Sequence, residues 1–342
     1  MKVLIKDNRI IDLFNEFIKN SKVLFNFRVK PDKVEVQLLS DFVMETVIPC
    51  SYVAGPEGTY QISVYITEII HVFKRGDLFL EVDDSSITFE QGNSTYTLLR
   101  EYEERKDLPD ISGLEFKPAY ADRLKYLVHS TKSMSTYAKE LKVFPVDPIF
   151  MNNRFYVRYE FYCFVEDMNF EQSCIPMETL QTVIFKLDKK SEVAYFREND
   201  YLVFKSKNYV FWVPTSNYNI SASKIQSIDK ILASLTPVTT INISELAEEL
   251  SYVAGIFSKQ KANLSIGDGC ICIDMTSAGY EAHTFVGTKI TRPLLRMTLS
   301  NASLQVIPKI FKDDEEVEIL KGGNCLCLRH NTKTLLIAGM LY

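Results

Sequence analysis

Apolar residues recur at three- and four-residue intervals in three separate segments of the chain, which is the spacing of one face of an α-helix. The three sets are Ile66, Ile69, Ile70 and Phe73; Met177, Leu180 and Ile184; and Leu304, Ile307 and Phe311. Each segment ends with an aliphatic residue followed by Phe and Lys, at 72–74, 184–186 and 310–312. We therefore predict one helix that occurs three times, at intervals the length of a small domain.

Runs typical of β-strands, divided by polar turns, follow each predicted helix. They are residues 78–82, 86–91 and 95–100; 193–196, 201–205 and 209–213; and 317–320, 325–329 and 334–340. A second amphipathic helix precedes each unit, at 9–22, 119–134 and 243–259, with Ser244 as a candidate N-cap. The strands predicted after these helices are 23–29, 33–39 and 44–50; 154–166; and 262–267, 270–275 and 281–287.

Each repeat therefore has the order β-α-βββ-α-βββ, which predicts an α+β fold of three domains, each with two helices and antiparallel sheets. We predict the domains at residues 1–112, 113–220 and 235–342. Residues 221–234 lie in a polar, Ser/Thr-rich stretch bounded by prolines, and we predict a linker there.

The composition, with 46% hydrophobic and 24% charged residues, is that of a folded soluble protein. Apolar runs stay well short of the roughly 20 residues of a membrane span, and the first residues lack a signal-peptide pattern, so we expect a cytoplasmic protein without a membrane partner. The net charge of −5 argues against a uniformly basic surface but leaves room for a local one. Two C-x-C pairs, Cys270/Cys272 and Cys325/Cys327, indicate buried thiols in a reducing compartment rather than a metal site.

Three short strings add to the repeated layout: "RKDLPDI" at 105–111, "AGIFSKQKANLSIGDG" at 254–269 and the terminal "KTLLIAGMLY". Together, layout and strings resemble the DNA sliding clamps, in particular the bacterial β-type processivity factors. Where that family has a characteristic turn in its second domain, this chain has "VRYEFYCFV", a divergence that would suit a bacteriophage-encoded clamp. The resemblance implies three clamp domains per chain, a head-to-tail homodimer that encircles double-stranded DNA, and two protein partners, a DNA polymerase and a clamp loader.

A ring also follows from the sheets, because repeated domains can pair their open sheet edges and a second copy can cover the two edges left at the chain ends. DNA that passes through it would contact Lys and Arg through its phosphates. The alternative is that these cations favour helix dipoles and solubility. The repeated Phe-Lys predicts a core Phe and a DNA-facing Lys in each domain. The DNA-facing candidates are Lys19, Lys22, Lys74, Arg75, Arg123, Lys125, Lys132, Lys186, Lys189, Lys190, Lys309 and Lys312.

The resemblance also implies the dimer interface, in which Leu108 of one subunit packs near Ile256 and Phe257 of the next. The last two residues could instead be ordinary core residues of their helix. A partner-peptide pocket is implied beside the C-terminal tail, unless the tail merely packs on its own domain. Its expected residues are Val213, Pro214, Met340, Leu341 and Tyr342.

An enzyme is the remaining functional class to consider. Ser130 and Lys132 beside His129 could form a nucleophile and base, but the chain has no nucleophile elbow, P-loop or dinucleotide-binding motif. The acidic runs 83–84 and 313–316 lie in equivalent turns, and the second repeat has Lys there, so solvated turns are favoured over a metal site. We expect no catalytic residues, no cofactor and no metal. The alternative function is a non-catalytic scaffold of the same fold that recruits partners without encircling DNA.

Overall fold

The computed structural model describes residues 1–17, 23–66, 73–102, 105–140, 146–159, 162–216, 218–257, 261–267, 269–277, 280–288, 295–311 and 316–341. Two compact units make up the chain. The first unit consists of Met1–Ala121 and Thr182–Pro214, and the second of Asp122–Gln181 and Thr215–Tyr342. A search of the described helices finds none that is long and apolar enough to cross a membrane.

The elements, given in chain order, alternate single helices with runs of strands. The first half contains β1 Lys2–Ile5, α1 Arg9–Phe17, β2 Val23–Val29, β3 Lys33–Leu39, β4 Val43–Pro49, β5 Ser51–Ala54, β6 Tyr60–Ile66, β7 Leu78–Val82, β8 Ser86–Gln91, β9 Ser94–Leu99, β10 Lys117–Pro118, α2 Ala121–Glu140, β11 Val146–Met151, β12 Arg154–Arg158, β13 Tyr162–Asp167 and β14 Ser173–Cys174. The second half contains α3 Met177–Ile184, β15 Glu192–Phe196, β16 Tyr201–Lys205, β17 Val210–Pro214, α4 Tyr218–Ala233, β18 Thr236–Asn242, α5 Ile243–Phe257, β19 Lys261–Gly267, β20 Cys270–Ser277, β21 Tyr280–Gly287, β22 Leu295–Ser300, α6 Asn301–Ile310, β23 Glu316–Gly322, β24 Cys325–His330, β25 Lys333–Ala338 and β26 Met340–Leu341.

Two antiparallel sheets form the first unit. Among the described strands, sheet A has the order β5-β1-β7-β8-β9 and sheet B the order β10-β15-β16-β17-β4-β3-β2-β6. Sheet B joins strands of the predicted first and second domains, because β17 pairs antiparallel with β4, with Phe211 opposite Met44. The expectation that neighbouring repeats pair their sheets edge to edge is therefore confirmed at this joint.

The second unit repeats this arrangement. Its described strands form sheet C, in the order β14-β11-β12-β13-β25-β24-β23-β18, and sheet D, in the order β21-β20-β19-β22-β26. The joint in sheet C pairs β13 with β25, from Tyr162 opposite Ile337 to Glu166 opposite Lys333. Sheets B and C thus each combine strands of two predicted domains, whereas sheets A and D each draw on one.

The alternation of the strands and the spacing of the helices direct apolar side chains to the same core. In the first unit, Ile10, Leu13 and Phe14 of α1 are 0–1% exposed. The Phe14 ring meets Phe25 of sheet B and Phe89 of sheet A edge-on, with centroids 5.5 Å apart in both cases. Burying one such side chain stabilises a fold by about 1.5–3 kcal/mol, so this helix fixes the two sheets against each other.

Several local predictions need correction. Ile66 is the last residue of strand β6 rather than the start of a helix, and 67–72 lie outside the described residues. The single strand predicted at 154–166 is two strands, β12 and β13. Asn242, not Ser244, caps α5, because its side-chain oxygen accepts the backbone N–H groups of Ser244 and Glu245 at 2.9 and 3.2 Å.

Residues 221–234, predicted as a linker, lie mostly within helix α4, so this stretch is helical; its role as a linker between domains stays a prediction. Ile225 and Ile228, three positions apart on the helix, are 1% and 7% exposed in a core that they share with sheet C. The Asp229 carboxylate accepts the Tyr156 hydroxyl at 2.5 Å. Ile225 and Ile228 thus form a narrow apolar face on α4, which the polar, Ser-rich composition did not indicate. The domain boundaries themselves stay a prediction.

Candidate nucleic-acid interface and partner sites

Lys74 is held at its backbone and exposed at its side chain. The Gln91 side chain at the end of β8 accepts the Lys74 N–H at 2.8 Å and donates to the Lys74 carbonyl at 2.7 Å. The preceding Phe73 is 3% exposed, and its ring lies 5.2 Å from that of Tyr96. Phe73 is therefore a core residue, as predicted, and the Lys74 side chain is exposed; that Lys74 faces DNA stays a prediction.

Arg75 and Lys186 share a counter-ion on helix α1. The Arg75 guanidinium lies 3.1 Å from the Asp12 carboxylate. Lys186 is half-buried. Burial lowers the pKa of Lys186, and the charge of Asp12 opposes that shift. Asp12 therefore offsets part of the positive charge that both candidates would offer to a phosphate.

Arg123 neutralises a buried acid. Its guanidinium donates to the carboxylate of Glu166, whose side chain is 1% exposed. The Thr332 hydroxyl lies 3.2 Å from both partners. Burial raises the pKa of the Glu166 carboxyl, and the Arg123 charge opposes this rise. Among the DNA-facing candidates, Arg123 thus has a structural partner that the sequence pattern did not reveal.

The structure describes some of the other DNA-facing candidates and not others. Lys189 and Lys190 are exposed in the turn after α3, Lys309 is exposed on α6, and Lys125 is half-buried on α2. Lys132 lies on α2, but its side chain is not described. Residues 19, 22 and 312, which carry three more candidate lysines, fall outside the described residues.

The second repeat departs from the predicted core Phe. Phe311 is 0% exposed, as the pattern predicts, but Phe185 is 71% exposed. Backbone N–H groups of Lys186 and Leu187 bond to the carbonyls of Val183 and Ile184 at 3.0 and 3.2 Å, which tightens the chain just after α3. This turn carries Leu187, which is 2% exposed, into the core in place of Phe185.

The interface candidates are only partly described. Leu108 is half-buried and packs against a cluster of Val43, Val203 and Trp212 in its own unit. Ile256 and Phe257 are the last two residues of α5, and their side chains are not described. Sequence reasoning missed the exposed apolar residues on two strands, β9 and β21.

Those strands are edges of their sheets among the strands described. Leu99 on β9 is 75% exposed and Phe285 on β21 is 60% exposed. A groove of about 730 Å³ runs beside the β9 edge, where Gln61 and Ser63 of β6 face Leu99 and Tyr102. An edge strand presents backbone N–H and C=O groups that can pair with a strand of another chain.

The C-terminal tail forms a strand of its own. Backbone pairing places Met340 opposite Thr298 and Leu341 opposite Met297, so β26 is the edge strand beside β22. A Cβ atom at Gly339, where the chain crosses from sheet C to sheet D, would lie 2.6 Å from Leu299 Cδ2, so a larger residue there would require that side chain to move. The strand predicted at 334–340 therefore ends at Ala338, and Met340 belongs to a separate short strand.

The remaining pocket candidates are placed individually. Val213 is fully buried, Pro214 is half-buried, and residue 342 lies outside the described part of the chain. The pocket therefore stays a prediction. Within the described ranges, His, Cys, Asp and Glu side chains form no group of three or more that could hold a metal ion.

Neither a family model nor a curated protein matches the sequence. Solved structures do match it. A putative DNA polymerase III beta subunit from Eubacterium rectale is 14% identical with a TM-score of 0.74, and each chain covers 100% of the other. The DNA polymerase sliding clamp from Bacillus subtilis is 15% identical with a TM-score of 0.72, covering 100% of this chain and 99% of that one. The protein has the fold of the bacterial sliding clamps.

The clamp fold extends over the whole length of the chain, so the similarity includes all three repeats. The beta subunit of the DNA polymerase from Streptococcus pyogenes gives the same result, with 14% identity, a TM-score of 0.74 and full coverage of both chains. The predicted α+β class with repeated clamp domains is therefore confirmed at the level of the fold.

Proposed function

We propose that the protein is a DNA sliding clamp, a non-catalytic ring of two copies that encircles duplex DNA and tethers a DNA polymerase. The observation that carries this proposal is the equivalence of the two internal joints. In the order of the repeats, β4 and β13 are equivalent strands, and so are β17 and β25. In sheet B, β4 pairs antiparallel with β17, and in sheet C the equivalent strands β13 and β25 pair in the same way.

The same rule predicts the contact between copies. In the third repeat the strand equivalent to β4 and β13 is β21, and in the first repeat the strand equivalent to β17 and β25 is β9. These are the edge strands that expose Phe285 and Leu99. Pairing β21 of one copy with β9 of the next would join sheet D of the first copy to sheet A of the second in one continuous sheet. Under two-fold symmetry, two such contacts close a head-to-tail dimer.

DNA contact in such a ring requires cations that touch phosphates without reading bases, so that the clamp slides. Among the DNA-facing candidates whose side chains are described, the exposed ones best fit this role, namely Lys74, Arg75, Lys189, Lys190 and Lys309, whereas Arg123, Lys125 and Lys186 are half-buried. We extend the proposal to a clamp loader and to a polymerase peptide that binds beside Met340 and Leu341. The site of action would be the cytoplasm of a bacterium, including one infected by a phage.

Native mass spectrometry of the joint variants tests the proposal. The wild-type protein should have twice the 39.3 kDa mass of the chain. Leu99→Lys with Phe285→Lys should give a folded monomer, because two charges replace the apolar residues of the joint. Phe185→Lys is the matched control, since it changes a Phe of similar exposure, 71% against 60% for Phe285, that lies outside both edge strands. A monomeric wild type, or an unchanged dimer in the double variant, would contradict the assigned joint.

The interface implied by the family resemblance is tested in the same assay. Charged residues at Ile256 and Phe257 should also yield a folded monomer, because these positions would pack near Leu108 of the next copy. The alternative function, a scaffold that recruits partners without encircling DNA, predicts the same masses. It is distinguished from a clamp by comparing the retention of the protein on circular and linear DNA.

A further inference from the structure

Residues 105–116, which we call the strap, connect the strands of the first predicted domain to those of the second. The strap contains no helix or strand, yet four of its apolar side chains are half-buried, namely Leu108, Ile111, Leu114 and Phe116. All four pack against one apolar cluster on sheet B. The strap is therefore a loop that covers part of this sheet rather than a free linker.

The cluster under the strap spans the joint between β4 and β17. Val43 on β4 lies opposite Trp212 on β17, and Trp212 lies opposite Val203 on β16. These three side chains are 0–3% exposed. Because side chains alternate along a strand, they lie on the face of sheet B opposite that of Met44 and Phe211. The strap therefore covers both strands of the joint at once.

Polar contacts fix the start of the strap to sheet B. The Gln37 side chain on β3 accepts the backbone N–H of Lys106 at 2.8 Å and donates to the Lys106 carbonyl at 3.0 Å. The Arg105 guanidinium donates to the Glu45 carboxylate at 2.7 Å, and Gln37 donates to the same oxygen at 3.1 Å. Glu45 is on β4, opposite Val210 of β17, so these anchors lie beside the joint.

Two features make this joint depend on the strap and make the covered state easy to leave. The structure pairs three positions of β4 with β17, whereas it pairs five positions of β13 with β25. Trp212 Nε1 and Arg105 Nη1 are buried and find no hydrogen-bond partner among the described residues. A buried polar group without a partner costs free energy, and contact with water after opening would remove that cost.

We propose that the strap is a releasable lock on the joint between β4 and β17. While Gln37 and Glu45 hold Arg105 and Lys106, the apolar side chains of the strap exclude water from the cluster and the joint stays paired. When these anchors break, the strap lifts, Trp212 becomes exposed to water, and β17 separates from β4 while β2 and β3 stay paired. The first unit thus has an internal hinge where two repeats meet. This inference is independent of the proposed clamp function.

Trp212, the one tryptophan of the sequence, reports the opening in the full-length protein. In native buffer, acrylamide should quench its fluorescence at least twofold more strongly in Gln37→Ala and in Arg105→Ala than in the wild type. Hydrogen exchange of the β17 amides should be at least tenfold faster in both variants. Arg28→Ala is the control, since it removes another Arg–Glu contact of sheet B, 3.6 Å from Glu35, on β2 and β3. It should leave both measurements unchanged.

Wild-type protein in urea below its unfolding transition provides a second measurement that requires no variant. Amides of the strap and of β17 should exchange, and Trp212 should become accessible to acrylamide, at a urea concentration where β2 and β3 remain protected. Exchange of β17 only together with β2 and β3 would overturn the lock. So would wild-type quenching of Trp212 in a folded Arg105→Ala variant, or rapid exchange of the strap with β17 fully protected.

Discussion

The repeated Phe-Lys motif contains Phe73, Phe185 and Phe311. Alanine substitution should destabilise the protein at Phe73 and Phe311 and have little effect at Phe185. Phe73 is 3% exposed and contacts Phe89 and Tyr96 at 6.1 and 5.2 Å between ring centroids. Its removal should cost about 3–5 kcal/mol, which combines the lost transfer free energy with the cavity left behind. Phe311, at 0% exposed, should cost the same. Phe185, at 71% exposed, should change stability by less than about 0.5 kcal/mol.

Phe73 and Phe185 form a matched pair because both belong to the first unit, as does the one tryptophan of the sequence, Trp212, which is 1% exposed. Urea unfolding followed by Trp212 fluorescence therefore measures both variants with the same reporter. Phe311 lies in the second unit, where hydrogen exchange of β23 and β24 reports the loss. Equal destabilisation by Phe73→Ala and Phe185→Ala would refute the reasoning, since it would require Phe185 to be buried.

Three further predictions concern charges and the tail. Arg123→Ala should cost about 1–3 kcal/mol at neutral pH, because the buried Glu166 carboxylate loses its guanidinium partner and keeps the Thr332 hydroxyl. Since burial raises the pKa of Glu166, stability measured by urea unfolding should recover as the pH falls toward the ordinary carboxyl range, and Glu166→Gln in the same background should abolish that recovery. Lys74→Ala should lower the slope of log affinity for duplex DNA against log salt by about one, and an unchanged slope would exclude a phosphate contact. The double variant Met340→Ala, Leu341→Ala should preserve the dimer, because β26 pairs with β22 through its backbone. A polymerase peptide should bind this variant at least tenfold more weakly, as measured by fluorescence anisotropy. Full peptide binding would show that the pocket lies elsewhere.

Much of the fold could be predicted because its signals are local. The three- and four-residue spacing at 177–184 and 304–311 corresponds to α3 and α6, and period-two alternation anticipated β2, β3, β7 and β8. The helix α4 was missed because two isoleucines three positions apart are a weak signal among serines. Ile225 shows its role only through its contact with sheet C, which is distant in sequence.

The candidate sites were harder to predict, because side-chain environment depends on long-range packing. Phe185 fits the same motif as Phe73, yet Leu187 takes its place in the core. Arg123 looks like any other helix cation until Glu166, on a strand of the same unit, is placed beside it. The edges β9 and β21 carry no distinctive sequence pattern, because whether a strand is an edge depends on its neighbours in the sheet.

Encirclement of DNA is the central claim, and retention on circular compared with linear DNA tests it most directly. The protein is loaded with its clamp loader onto a nicked circular plasmid, freed of weakly bound molecules at high salt, and measured before and after a single restriction cut. A topological clamp should remain on the circle and be lost once the DNA is linear, because it slides off the ends. Equal retention on both forms, or none on the circle, would contradict the account.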